Sequence, residues 1–212
     1  MREFGSRLNG EKKVNLEKWN ELLKIQPASE KEEPIIIKRF MSLIKKYVPK
    51  DSKILVLGAS VPERERLLKE GYQNVTCINL YSAEGILKMD MHDLKFKKES
   101  FDVVIAKNVV EHSFSPWLLF LEVRSVLRKG GLFVFSIQKI DMPWNYVIEH
   151  PFLVNSLWLD YIRNWFGFRE ITYTEYKGAI NCIWRKNEDL PYNSLGKINW
   201  HEFLRKWEER FH

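Results

Sequence analysis

Three short apolar runs mark the middle of the chain: Ile54 to Leu57, Val103 to Ala106 and Leu132 to Ile137, each bounded by charge or glycine. Runs this short and this uniformly apolar predict strands buried on both faces, as in a parallel sheet. Between the last two, Leu118, Leu119, Leu121, Val123, Val126 and Leu127 recur at helical spacing, and Gly130-Gly131 closes the run. Strand, helix and strand in that order imply a right-handed crossover. The whole pattern predicts strands over 53–58, 75–79, 86–89, 102–107 and 131–137, with helices over 62–70, 115–128 and 155–165. Two last strands, 168–176 and 179–186, flank Lys177-Gly178 and predict an antiparallel hairpin.

The flanks are organised differently. Residues 1–34 read as a helical extension, with Leu16, Trp19, Leu22 and Leu23 at helical spacing and Pro27 ending the run. Ile36, Phe40, Leu43, Ile44 and Tyr47 form one stripe of an amphipathic helix that opens the main domain, 35–187. Residues 188–212 read as a polar tail ending in an amphipathic helix (Trp200, Phe203, Leu204, Trp207, Phe211).

Composition narrows the classes. Hydrophobic content of 45% and charged content of 29% over 212 residues suit one α/β domain with a substantial core. Eight tryptophans within 14% aromatic content suggest a pocket or surface rich in flat rings. No apolar run approaches the roughly 20 residues that span a bilayer, and MREFGSRLNGEKK has no apolar core, so a cytoplasmic protein is expected. Cys77 and Cys182 sit inside apolar strand-like runs and read as buried, reduced thiols. Without CxxC, HExxH or a compact Cys/His cluster, no metal is expected. The net charge is +6, and residues 1–50 alone carry 12 Lys/Arg against 7 Asp/Glu. A basic end attracts nucleic acid, anionic lipid or acidic substrates. Here the charges alternate in sign without interleaved aromatics, so a solvated helical face is the stronger reading and a nucleic-acid partner the weaker. Oligomeric state is not set by these features.

Gly58, Asp90 and Asn108 to His112 all fall at carboxyl ends of predicted strands, where open parallel sheets bind their ligands. A nucleotide-like cofactor site is the leading expectation. The motifs DMHDLKFKKESFDVV, VVEHSFSP and LEVRSVLRKGGLFVFS, followed by the late hairpin, together resemble class I S-adenosylmethionine-dependent methyltransferases over roughly residues 36–186. The resemblance is to the subgroup acting on small molecules, sugars or lipids. It implies a Rossmann-like, doubly wound, mostly parallel seven-stranded sheet ending in an antiparallel hairpin, with S-adenosylmethionine as cofactor.

The resemblance also assigns roles. Gly58, Ala59 and Ser60 would form the turn whose backbone approaches the methionine part of the cofactor, with Gly58 matching the first glycine and Ser60 able to cap the next helix. Ala59, Ser60 and Val61 stand where further glycines are usual. Asn79 stands where an acid usually accepts both ribose hydroxyls; its amide would accept one and donate to another, binding more weakly, unless a shifted register brings in Glu84. Asp90 would accept from the adenine amino group while the Met91 amide donates to the ring, and Asn108 would line the methionine part. His92 reads as a solvated loop residue. Glu111 and His112 would face the reacting centre or brace the loop. His112 is a candidate base, because histidine titrates near neutral pH, and His150 is its rival. Trp144 and Tyr146, in the aromatic segment 138–154, would contact the acceptor.

Three alternatives stay open. One is a catalytically silent relative serving as a binding or scaffold subunit, which the altered turn and Asn79 motivate. Another is a nucleic-acid methyltransferase, although KNVVEH stands in place of the NPPY-type motif that holds an exocyclic amine. A nicotinamide-dependent oxidoreductase would need GxGxxG, and GASVPE lacks it.

Overall fold

Each apolar run of the middle section becomes a strand of one sheet. The computed structural model describes residues 35–113, 115–138, 156–176 and 178–187. Its strands are β1 (Ile54–Leu57), β2 (Val75–Asn79), β3 (Ile86–Lys88), β4 (Phe101–Lys107), β5 (Leu127–Gln138), β6 (Phe168–Tyr176) and β7 (Ala179–Lys186). The helices are α1 (Ile35–Tyr47), α2 (Val61–Lys69), α3 (Pro116–Val126) and α4 (Ser156–Trp165), with a 3-10 turn at Val110–His112. The seven strands lie in the order β3-β2-β1-β4-β5-β7-β6. The first five are mutually parallel; β7 is antiparallel to both β5 and β6. This is the expected α/β sheet with its closing hairpin. The predicted tails 1–34 and 188–212 lie outside the described residues.

Because both faces of the sheet are covered, alternate residues of the central strands enter two different cores. Leu55, Leu57, Val104, Ala106, Phe133 and Phe135 pack on α3 and α4 through Leu119, Phe120, Val123, Leu159 and Ile162. Ile54, Val56, Val103, Ile105 and Val134 pack on α1 and α2 through Phe40, Ile44 and Leu67. The uniform burial of β1 explains why its sequence shows no alternation.

One predicted boundary moves. The helix stops at Val126 rather than running to 128, and Leu127 already pairs with Phe101 on β4. The glycine pair is therefore no helix cap. It lies inside β5, where the register shifts between Phe101 and Val103. A Cβ at Gly131 would stand 2.9 Å from the Arg128 carbonyl oxygen and 3.0 Å from that of Asp102. Only glycine admits that approach. The Lys186 ammonium anchors the junction by donating to the Leu127 carbonyl at 2.6 Å and to Glu99 Oε1 at 3.1 Å.

Cys77 and Cys182 are free and buried, as expected. Burial pushes the Cys77 thiol up to about 11 and raises Cys182 as well. Tyr72 and Tyr81 are raised by the same cause, and Tyr173 is pushed up to about 12 by burial and its contact with Glu175. From the ordinary thiol value of 9.0 upward, the unfolded chain gives up the Cys77 proton first, so stability falls as pH rises toward about 11. Lys186 acts oppositely: desolvation lowers it, so stability rises with pH between its folded value and 10.5. Among the described residues more groups are raised than lowered, so urea denaturation should show a net loss of stability between pH 9 and 11. Cys77→Ala should remove roughly 2–3 kcal/mol of that loss. An equally steep decline in the variant would refute the assignment.

Candidate cofactor site

The strand order places a topological switch point between β1 and β4, because the chain leaves β1 toward β2 on one side and leaves β4 toward β5 on the other. Leu57 lies level with Ile78 on β2 and Ala106 on β4, so the residues that follow these strands emerge together at one edge. Gly58, Asn79 and Lys107-Asn108 meet there. Met89 joins them by donating its N–H to the Asn79 carbonyl at 2.8 Å, which brings Asp90 to the same edge.

The turn after β1 needs glycine twice over. Gly58 has φ +62, and a Cβ on it would stand 2.7 Å from Val109 Cγ2. Val109 thus lies against the bare backbone of the turn. Ala59 is buried, with its N–H donating to the Ile78 carbonyl at 3.0 Å. Its own carbonyl accepts from Asn79 Nδ2 at 3.0 Å. That bond orients the amide, since a carboxylate could not donate it. Among the described residues no group donates to Asn79 Oδ1, which is the acceptor that remains.

Ser60 caps α2. Its N–H and hydroxyl both donate to Glu63 Oε2, at 3.1 and 3.2 Å. The other oxygen of the same carboxylate takes the Lys107 ammonium at 2.6 Å. Glu63 therefore ties the turn after β1 to the end of β4 across the switch point. Ser60 was expected at the start of this helix; Glu63 at capping-box spacing and its pairing with Lys107, 44 residues away, are added by the structure. Glu63→Ala should cost about 1–2 kcal/mol in chemical denaturation, with Glu63→Gln closer to the parent because it keeps an acceptor for Ser60. Equal stability of all three proteins would refute the role.

Asn108 takes the left-handed conformation at φ 50. Asparagine tolerates that region better than most residues. Its N–H donates to the Ser136 carbonyl and its Oδ1 accepts from the Ser136 hydroxyl, both at 2.8 Å. The side chain braces the ends of β4 and β5, and the sharp turn sends the backbone into Val110–His112. Glu111 is buried, with 1% of its surface exposed, while His112 is half-buried and donates its N–H to the Val109 carbonyl.

His92 departs from expectation. It is 6% exposed rather than solvated. Its ring is held between Asp90 Oδ1 at 2.8 Å and Ser113 Oγ at 2.7 Å. Two polar partners far apart in sequence let a polar ring enter the core, which loop composition alone does not reveal. Met91 is partly buried against the core on the α3 side. Trp144, Tyr146 and His150 lie outside the described residues.

Residues 60–135 match the family model described as a methyltransferase domain. That stretch is similar to a methyltransferase domain. Solved structures share this domain's fold at low identity. A Burkholderia thailandensis 1,6-didemethyltoxoflavin-N1-methyltransferase, solved with 1,6-didemethyltoxoflavin and S-adenosylhomocysteine, is 12% identical with TM-score 0.64, covering 88% of this chain and 90% of that one. A methyltransferase from Aquifex aeolicus is 14% identical with TM-score 0.56, covering 74% and 100%. The [4+2]-cyclase SpnF is 12% identical with TM-score 0.60, covering 70% and 80%. No curated protein matches.

The residues at this carboxyl edge suit the parts of S-adenosylmethionine. The turn at Gly58 exposes backbone without a side chain. Asn79 offers an amide acceptor suited to a ribose hydroxyl, and Asp90 offers a carboxylate suited to an exocyclic amine. Among the described residues no group of three His, Cys, Asp or Glu side chains could hold a metal, and no helix is long and apolar enough to cross a membrane.

Proposed function

We propose that this protein transfers a methyl group to an oxygen or nitrogen of a small-molecule, sugar or lipid acceptor. S-adenosylmethionine is the cofactor, and its sulfonium supplies an already activated methyl group. The observation that carries the reading is the convergence of Gly58, Asn79, Asp90 and Asn108 on the β1/β4 switch point. In this reading Gly58, Ala59 and Ser60 shape the turn beside the methionine part, and Asn79 holds the ribose. Asp90 and the Met91 amide read the adenine, and the backbone at Asn108 lines the far wall. Alignment of an acceptor lone pair in a water-poor site then supplies most of the rate. A base is required only where the acceptor must lose a proton. His112 is the candidate, with Glu111 beside it and His150, Trp144 and Tyr146 assigned to the acceptor side. The small heterocycle bound by the Burkholderia enzyme supports a small-molecule acceptor.

Asn79 and the internally satisfied Ser60 N–H also favour a second reading, a domain that binds partners without methyl transfer. Calorimetric titration with S-adenosylmethionine and S-adenosylhomocysteine separates the two. Binding in the micromolar to millimolar range is expected. An absence of heat at millimolar ligand would overturn the enzymatic reading, and a screen of acceptors would then assign the substrate if binding is found.

A further inference from the structure

Asp90, His92 and Ser113 form one hydrogen-bonded chain across the candidate site. Asp90 Oδ1 accepts twice from the same residue, from the His92 backbone N–H at 3.0 Å and from Nδ1 at 2.8 Å. On the opposite side of the ring, Nε2 stands 2.7 Å from Ser113 Oγ. A carboxylate only accepts, so a proton lies on Nδ1, and the bond between Nε2 and the Ser113 hydroxyl completes the chain. Ser113 Oγ in turn accepts from the Ser115 N–H at 3.2 Å. The Ser113 N–H donates to the Val110 carbonyl at 3.1 Å, which closes the 3-10 turn carrying Glu111 and His112.

Asp, His and Ser in this order also occur in nucleophilic hydrolases. Here, however, Ser113 is 1% exposed and His92 6%, so no substrate reaches the hydroxyl. The chain is a brace. A carboxylate on a loop ordinarily rotates about its side-chain torsions; two bonds to one oxygen set its plane and keep its charge at one place. The same imidazole binds an element 21 residues further on, the turn at the end of β4.

We propose that His92 is a positioning residue for cofactor recognition: it holds the Asp90 carboxylate in place to read the adenine amino group and ties that edge, through Ser113, to the acceptor-side turn. The inference rests on the function proposed above. It predicts specificity for the base of the nucleoside, which burial of a histidine for packing alone would not produce.

The test compares S-adenosylhomocysteine with S-inosylhomocysteine, in which an oxygen replaces the amino group, on the full chain. The parent should prefer the adenine form, and His92→Leu should reduce that preference about ten- to a hundredfold, the scale of a hydrogen bond to a charged group. His92→Gln, which can still donate and accept, should recover part of it, and Ser113→Ala should lose a smaller part. Nitrogen-15 spectra of histidine-labelled protein should show His92 protonated on Nδ1. An undiminished preference in His92→Leu, or in both His92→Gln and Ser113→Ala should the leucine variant not fold, overturns the positioning role. So does the opposite tautomer. If the parent binds neither nucleoside, the methyltransferase reading itself fails and the adenine role falls with it; parent binding with an unchanged preference in the variants sinks only the role of His92.

Discussion

Gly58→Val should destabilise the domain by about 2–4 kcal/mol and weaken S-adenosylhomocysteine binding at least about tenfold. Two separate costs combine. The left-handed backbone at φ +62 costs an L-residue about 1–2 kcal/mol, and a β-branched one is worse placed still. A side chain there also meets Val109 at 2.7 Å, an overpacking that costs about 1–3 kcal/mol. The two are separable by experiment. Gly58→Ala carries both costs in milder form, while adding Val109→Ala removes the collision and leaves only the backbone strain. The double variant should therefore recover part of the stability lost by Gly58→Ala in urea denaturation. Cofactor affinity should recover less, because Val109 no longer walls the turn. A valine variant with an unchanged denaturation midpoint and unchanged affinity would remove Gly58 from the site.

His112→Ala should lower kcat by about 10²–10⁴ on an acceptor that must lose a proton, the usual contribution of a positioned base, and leave the dissociation constant for S-adenosylhomocysteine within about twofold. The split between the two measurements matters. A brace for the loop would move both, because the turn Val110–His112 follows directly on Asn108. The variant should also lose the rise of rate with pH that comes from deprotonating an imidazole. On an acceptor whose lone pair is already available, the effect should shrink toward none. If His112→Ala keeps full activity on a hydroxyl acceptor while His150→Ala loses it, the base is His150.

Fold and site differ in how much of them the sequence displayed. The runs at β1, β4 and β5 were legible because strands buried on both faces carry nearly continuous apolar residues. The hairpin strands 168–176 and 179–186 fell at the bounds predicted from the sequence. Ser60 as the start of α2 was legible because capping is a short-range preference. Gly130-Gly131 was misleading, since glycine marks helix ends and strand bulges alike. The pairing of Leu127 with Phe101 and the crowding of Gly131 against the Asp102 carbonyl distinguish them.

By itself the chain determined its alternation of strands and helices, the closing hairpin, the buried thiols and the residues that reach the carboxyl edge. All of these follow from burial periodicity and local turn chemistry, which act over a few residues. Tertiary structure alone decided the insertion of β7 between β5 and β6, the contact of Val109 with Gly58, the Glu63–Lys107 pair and the burial of His92 between Asp90 and Ser113. Each joins groups brought together only when the sheet closes, and a hydrogen-bond partner 21 or 44 residues distant leaves no periodic trace in the order of the amino acids.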